Sequence, residues 1–331
     1  MDKKLLIPLI ILTISLFLFS GCGDDGSTGP EPVNEFNLVA AIGDDYFTTY
    51  TTASGGINVT IDAVADNIVD ESIFIIDFRS AVDFEDAHII NAHNIAIGDL
   101  VTNIDDGTIP ADQRILCVCY TGQTASVATA LLNMIGYDAQ NLMFGMCSVD
   151  TSISGAKKWL DAIEDDTHPD LDKDPYTTTT TYDFPTLDTK KSTAEEIIKA
   201  QFSSYIASGW GGKDSDLVWD YLEDYFIINY WSETEYNDVG HIPGAYQFTP
   251  KASLQTTESL NLLPTDKPIV VYCYTGQTSA QVVTYLKILG YEAYSLKFGV
   301  NGFGYNAPGY ENTARLPEPK VAGYYDDLLD R

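Results

Sequence analysis

Basic residues are scarce in this chain: 18 lysines and arginines stand against 48 aspartates and glutamates over 331 residues, a formal net charge of −30. A surface this negative argues against nucleic acid, and against anionic lipid headgroups, as electrostatic partners. Histidine occurs 4 times and cysteine 5 times, and no Cys-x-x-Cys pair exists, so no zinc-ligand pattern is present and neither a metal nor another cofactor is expected. With Cys22 set aside for the reason given below, the remaining Cys117, Cys119, Cys147 and Cys273 do not amount to a disulfide framework. The N-terminal apolar stretch, Leu5–Phe19, is about 15 residues, short of the ~20 that span a bilayer as a helix. What the chain has instead is 45% hydrophobic and 12% aromatic residues, enough for packed cores and, at this length, for two domains.

The first residues read as a targeting segment. Lys3 and Lys4 precede the apolar stretch, and Ser20-Gly21 supplies the small residues of a cleavage site. Leu18-Phe19-Ser20-Gly21-Cys22 resembles the lipobox of bacterial lipoproteins, which implies a signal peptide over residues 1–22 with lipidation at Cys22. Residues 23–35 then form a Gly/Asp/Ser-rich flexible tether. Gly23 follows Cys22, so the aspartate that retains lipoproteins at the inner membrane is absent. The expected place is the bacterial cell envelope, held by lipid and facing the periplasm or the exterior. An uncleaved anchor would leave the domains in the same compartment.

An internal repeat organises the rest. Ile115–Met146, ILCVCYTGQTASVATALLNMIGYDAQNLMFGM, aligns without a gap to Ile269–Val300, IVVYCYTGQTSAQVVTYLKILGYEAYSLKFGV. Both contain Cys-Tyr-Thr-Gly-Gln-Thr, at Cys119–Thr124 and Cys273–Thr278. Between the copies, Thr167–Asp188 carries prolines, acidic residues and a five-threonine run that cannot build a core. The domains are therefore drawn as 36–166 and 189–331, joined by a linker over 167–188. The first copy reads as helix 38–50, strand 73–76, helix-like 81–87, strand 114–119, helix 123–135, strand 141–144 and helix 154–163; the second repeats this order from Thr193. Short apolar strands alternating with helices predict an α/β fold, each domain an open, mostly parallel sheet with helices on both faces.

In such sheets ligands bind at the carboxyl ends of the strands, where both Cys-Tyr-Thr-Gly-Gln-Thr loops fall. A cysteine between a strand and a helix N-terminus is surrounded by N–H groups and a helix dipole that favour a thiolate. Cys119 and Cys273 are thus the candidate catalytic residues. Cys117 aligns with the apolar Val271 and reads as core. Asp170-Leu171-Asp172-Lys173-Asp174 begins like a calcium loop but lacks its glycine at position six and glutamate at position twelve, and reads as solvated chain.

Gly240-His241-Ile242-Pro243-Gly244-Ala245, Asp77-Phe78-Arg79 and the two Cys-x-x-Gly-x-Thr loops, in this order, resemble the rhodanese family of sulfurtransferases from about residue 40 to 310. The resemblance implies two tandem rhodanese-like domains. It also implies a persulfide formed on Cys119 or Cys273 from polysulfide, an organic persulfide, mercaptopyruvate or thiosulfate. The sulfur then passes to a thiol, cyanide or protein acceptor in a second step. Tyr120, Thr121, Gly122, Gln123 and Thr124, with Tyr274, Thr275, Gly276, Gln277 and Thr278, would form the loop whose amides cradle the terminal sulfur. The threonine hydroxyls donate to that sulfur or cap the helix. His88 and His241 would hold the loops by hydrogen bonding rather than act as bases, Arg79 would pair internally with a nearby Glu or Asp, and Asp77 would support the site. Cys147, aligned with Asn301, is a candidate resolving thiol for Cys119.

The chain also departs from the family pattern. The first half has Ala87-His88-Ile89-Ile90-Asn91-Ala92 for the histidine motif, the second has Asn229-Tyr230-Trp231 for Asp-x-Arg, and both halves keep the cysteine. The loops carry no basic residue, which ranks dianionic thiosulfate below less charged donors. A phosphatase of this fold needs an arginine six residues after the cysteine; Ala125 and Ser279 stand there. A non-catalytic sulfur carrier, redox sensor or partner-binding module is the alternative, and the chain is expected to be a monomer.

Overall fold

Four short runs, Ile-Phe-Ile-Ile-Asp, Arg-Ile-Leu-Cys-Val, Phe-Ile-Ile-Asn and Ile-Val-Val-Tyr, form strands buried on nearly every side chain. Strands of this kind belong in the middle of parallel sheets covered on both faces. The computed structural model describes residues 34–310 and 325–331 except 50, 53, 54, 151, 154, 156, 165, 166 and 169. The expected signal peptide, Cys22 and nearly all of the tether lie outside the described residues. Among the described residues no helix is long and apolar enough to cross a membrane.

In chain order the first half comprises α1 (Glu35–Thr49), β1 (Asn58–Val59), α2 (Ile61–Val69), β2 (Ile73–Asp77), α3 (Ala81–Asp86), β3 (His88–Ile89), β4 (Ala92–Asn94), α4 (Leu100–Asp105), β5 (Arg114–Val118), α5 (Gln123–Met134), β6 (Ala139–Leu142) and α6 (Lys158–Glu164). The second comprises α7 (Ala194–Ala207), β7 (Gly212–Lys213), α8 (Ser215–Trp219), β8 (Phe226–Asn229), α9 (Glu233–Val239), β9 (Tyr246–Gln247), β10 (Ile269–Tyr272), α10 (Gln277–Ile288) and β11 (Ala293–Leu296); β12 (Leu329–Asp330) ends the chain. Each half builds a five-stranded sheet, β1-β6-β5-β2-β4 and β7-β11-β10-β8-β9, with every pairing parallel. These are two tandem α/β units of the same strand order.

The seam between the halves is α5 against α10. Both helices are buried nearly all round, which a helix adopts when covered on every side. Their neighbours form one continuous apolar cluster drawn from both halves, including Leu131, Leu132, Leu286 and Ile288.

Several expected boundaries shift. The strand expected at 141–144 ends at Leu142, because Phe144 turns into the left-handed region at φ 65°. The helix expected at 154–163 begins at Lys158. Helix α2 was not anticipated, although Thr60 caps it and Ile61, Val64 and Ile68 mark its buried face. The 167–188 segment forms no helix among its described residues. It lies extended along the second half, exchanging backbone bonds between Asp172 and His241 (2.9 and 2.8 Å) and donating from Tyr182 N to Asn261 O at 2.8 Å.

Helix α1 and the last described residues each contact parts of the chain beyond their own half. Glu35 at the head of α1 accepts from Thr189 N (2.7 Å) and Lys190 N (2.9 Å), Asp44 accepts from Thr256 N at 2.8 Å, and Phe36 stacks on Phe184. Conversely β12 pairs antiparallel with β3, and Tyr325, Leu328 and Leu329 are buried among Ile61, Ile68 and Ile89. Arg331 Nη2 donates to Asp150 Oδ2 at 2.6 Å. The span drawn as 189–331 thus ends in the core of the first half.

Candidate active site

Cys119 follows β5 and Cys273 follows β10, at the carboxyl ends of the central strands. Each loop then turns through a glycine with positive φ, Gly122 (79°) and Gly276 (73°), which caps the following helix. Only glycine takes that conformation without strain.

The sulfur environments differ. Cys119 Sγ accepts from Gly122 N at 3.1 Å and Ala125 N at 3.3 Å. Cys273 Sγ accepts from Ser279 N at 3.3 Å, and its thiol points to Ser279 Oγ at 3.6 Å. The donors were expected among Tyr120–Thr124 and Tyr274–Thr278. Gly122 N is one of these, and Ala125 N and Ser279 N, in the first turn of each helix, donate as well, because the turn aims that amide back along the helix axis at the sulfur. The Thr121 and Thr275 hydroxyls are engaged elsewhere: each accepts from the glutamine two residues on, Gln123 Nε2 and Gln277 Nε2, at 3.1 Å. Thr124 and Thr278 are half-buried at the first helical turns.

Both cysteines are buried, Cys119 at 2% and Cys273 at 4% exposure. Burial pushes the Cys119 thiol up; the amides of Ala125, Thr121 and Gly122 pull the other way, and the Asp77 carboxylate adds to the rise. At Cys119 desolvation is the larger effect and works against the thiolate that the loop alone favours. Cys117 is core, its thiol pushed up to about 12 by burial. Cys147 lies beneath the first loop, its amide donating to Tyr120 O at 3.1 Å and its thiol to Gly155 O at 3.3 Å; burial pushes it up to about 12.

The supporting residues divide. Arg79 and Asp77, both buried, form a closed ion pair (Nη2–Oδ2 2.8 Å), and Arg79 also donates to Ala87 O at 2.7 Å. The histidines do not reach the loops as expected. His88 bonds Phe84 O at 2.8 Å and stacks on Phe84. His241 bonds Ile242 O at 3.2 Å and stacks on Tyr236, centroids 3.7 Å apart. Aromatic stacking holds both rings on their own motif.

The loop tyrosines differ too. Tyr120 lies beside the Arg79 guanidinium (5.9 Å) and Lys158 Nζ (5.0 Å) and donates its hydroxyl to Asp83. Tyr274 stacks on Trp231 and on Tyr310, which also stack on each other, a cluster of three rings. Beside Cys273 opens a cavity of ≈ 390 Å³, lined by Trp231, Lys251, Thr275 and Thr278 and also by Asn58 and Met143 of the first half. Sequence reasoning missed Ser279, Trp231 and the first-half wall. The Trp231 substitution within the Asp-x-Arg position was its one visible signal.

Residues 60–149 and 214–305, more than half of the chain, each match the rhodanese-like domain. The chain belongs to this family and carries two such domains in tandem, and the membership supports a sulfurtransferase-type function at the level of the family. Among solved structures it is similar to a rhodanese-like domain protein from Staphylococcus aureus (22% identity over 27% of this chain and 86% of that chain, TM-score 0.25). It is similar to a rhodanese-related protein from Thermoplasma volcanium (20% identity, 33% and 99%, TM-score 0.25). It is also similar to a thiosulfate sulfurtransferase from Pseudomonas aeruginosa (13% identity, 78% and 46%, TM-score 0.29), of which it spans less than half the length.

Proposed function

We propose that the chain is an extracytoplasmic sulfurtransferase, tethered by lipid at Cys22, that carries sulfane sulfur as a cysteine persulfide. The observation that carries this reading is Cys273: a strand-end thiol at a helix N-terminus, with an amide donor on its sulfur, opening on a cavity sized for a small donor. The thiol loses its proton and attacks the outer sulfur of R–S–S⁻. The S–S bond breaks, R–S⁻ leaves, and Cys273–S–S⁻ remains. A thiol, cyanide or protein nucleophile then takes the outer sulfur and restores the cysteine, which gives ping-pong kinetics. The cavity wall has one lysine, Lys251, and one glutamate, Glu235, which favours singly protonated polysulfide, an organic persulfide or singly charged mercaptopyruvate over dianionic thiosulfate. The chain acts as a monomer on this reading, without metal, cofactor or nucleic acid.

For the first half a second reading has its own support. The buried Cys119, with its thiol pushed up, suits a slow sulfur store or a redox-responsive thiol with Cys147 as resolving partner better than rapid turnover. Steady-state transfer to cyanide, with each donor in turn, separates the two. The proposal expects parallel double-reciprocal lines and loss of most turnover in Cys273→Ser. Full turnover in Cys273→Ser would move the catalysis to Cys119, and none with any donor in the unsubstituted protein would remove the enzymatic reading.

A further inference from the structure

The two cysteine loops do not stand on their own domains alone. Gln277, in the second loop, extends its Oε1 into the first half, where it accepts from Phe144 N at 2.9 Å and Asn141 Nδ2 at 3.1 Å. Phe144 has φ 65° and opens the 3-10 turn Gly145–Ser148. That turn holds the first cysteine: Met146 N donates to Cys119 O at 2.9 Å and Cys147 N to Tyr120 O at 3.1 Å.

The same circuit runs in reverse. Gln123, in the first loop, accepts from Phe298 N at 2.8 Å through its Oε1. Phe298 has φ 60° and opens the turn Gly299–Gly302, where Val300 N donates to Cys273 O and Asn301 N to Tyr274 O, both at 3.1 Å. Both glutamines are buried, at 3% and 1% exposure. A bulky aromatic in the left-handed region is strained and persists only when its surroundings over-determine it.

We propose that Gln123 and Gln277 are reciprocal positioning residues, each fixing the backbone under the other half's cysteine, so that the two sulfur sites are mechanically coupled. The chemistry suits glutamine in particular. One carboxamide accepts the strained amide of the opposite half and donates to the threonine of its own loop, Thr121 or Thr275. Glutamate would lose the donor and bury a charge; methionine would lose both functions. Gly122 and Gly276 belong to the same device, since a Cβ at either would collide with the opposing glutamine carbonyl. The functional meaning of the coupling rests on these cysteines carrying sulfur, but the coupling itself is read without any sulfur donor.

The test is the alkylation rate of each cysteine by iodoacetamide, resolved by peptide mass spectrometry in the full chain across a pH series. Releasing Phe144 should loosen the turn under Cys119, so Gln277→Met should speed Cys119 alkylation about three- to tenfold, the worth of one buried hydrogen bond. Gln123→Met should do the same at Cys273. Gln277→Asn, one methylene too short to reach Phe144, should act in the same direction if the methionine variant does not fold. Gln281→Met is the control: it weakens the same α5–α10 seam, where Gln281 bonds Asn58 and Ser126, without touching Phe144. An unchanged Cys119 rate in both Gln277 variants, or an equal change in Gln281→Met, overturns the proposal. Absence of sulfur transfer with the coupling intact would instead overturn only the functional reading.

Discussion

The Trp231 indole lies flat on Tyr274, ring centroids 4.4 Å apart and planes 12° from parallel. In the first half the guanidinium of Arg79 takes the matching place beside Tyr120. One domain thus braces its loop tyrosine with an aromatic ring, the other with a buried cation. Trp231 is 1% exposed and also reaches Tyr272 and Tyr310. Trp231→Ala should therefore cost about 3–5 kcal/mol in urea unfolding, and Trp231→Phe much less. Equal losses would mean that the indole stack does not brace the loop.

Asp77 and Arg79 form a buried pair with three further bonds between them, Arg79 Nε to Oδ1 at 3.1 Å and to Oδ2 at 3.0 Å, and Arg79 N to Oδ1 at 2.9 Å. Asp77→Asn would leave the guanidinium buried without its counter-charge, an expected loss of about 3–5 kcal/mol. Replacing both residues, with methionine at 79, should recover part of that loss. An additive double mutant would show that the two side chains act independently.

Glycine is required to different degrees in Ile135-Gly136-Tyr137 and Phe144-Gly145 of the first copy. Gly136 (φ 91°) has open space where a Cβ would go, whereas a Cβ on Gly145 (φ 56°) would strike the Cys119 carbonyl. Gly136→Ala should cost about 1–2 kcal/mol, the strain of a left-handed alanine. Gly145→Ala should cost at least ~3 kcal/mol and disturb Cys119 reactivity. Thermal or urea unfolding of the two variants side by side checks the order.

Burial lowers the His241 pKa, partly offset by its bond to Ile242 O and by the Asp172 and Asp174 carboxylates. A base depressed in the folded state contributes stability above its unfolded value, near 6.5. That contribution is lost as pH falls through the folded value, because the unfolded chain takes the proton first. His241→Asn should therefore flatten the decline of stability below about pH 6.5. An unchanged slope in urea titrations at several pH values would assign the decline to other groups.

Much of this could be read from the chain alone. The repeat, the apolar strands and the glycine after each cysteine are local signals, and they gave the parallel α/β class and the loop positions, but not the strand order. An internal ion pair for Arg79 was legible; that its partner is Asp77, two residues back, came from the structure. What escaped was tertiary. Nothing in Gln277 says that its carboxamide reaches Phe144 across the seam, and nothing in Leu329 says that it pairs with Ile89 in the first half. The upward shift at Cys119 escaped for a further reason: sequence shows the amides that lower a pKa but not the depth of burial that raises it.

The central claim is that a strand-end cysteine holds sulfane sulfur. Its most direct measurement is the intact mass of the protein after polysulfide exposure and desalting, with peptide mapping of the added mass. The account predicts a gain of one sulfur atom on Cys273, abolished in Cys273→Ser and reversed by cyanide. An unchanged mass, or added sulfur spread over Cys117 and Cys147 with none on Cys273 or Cys119, would contradict it.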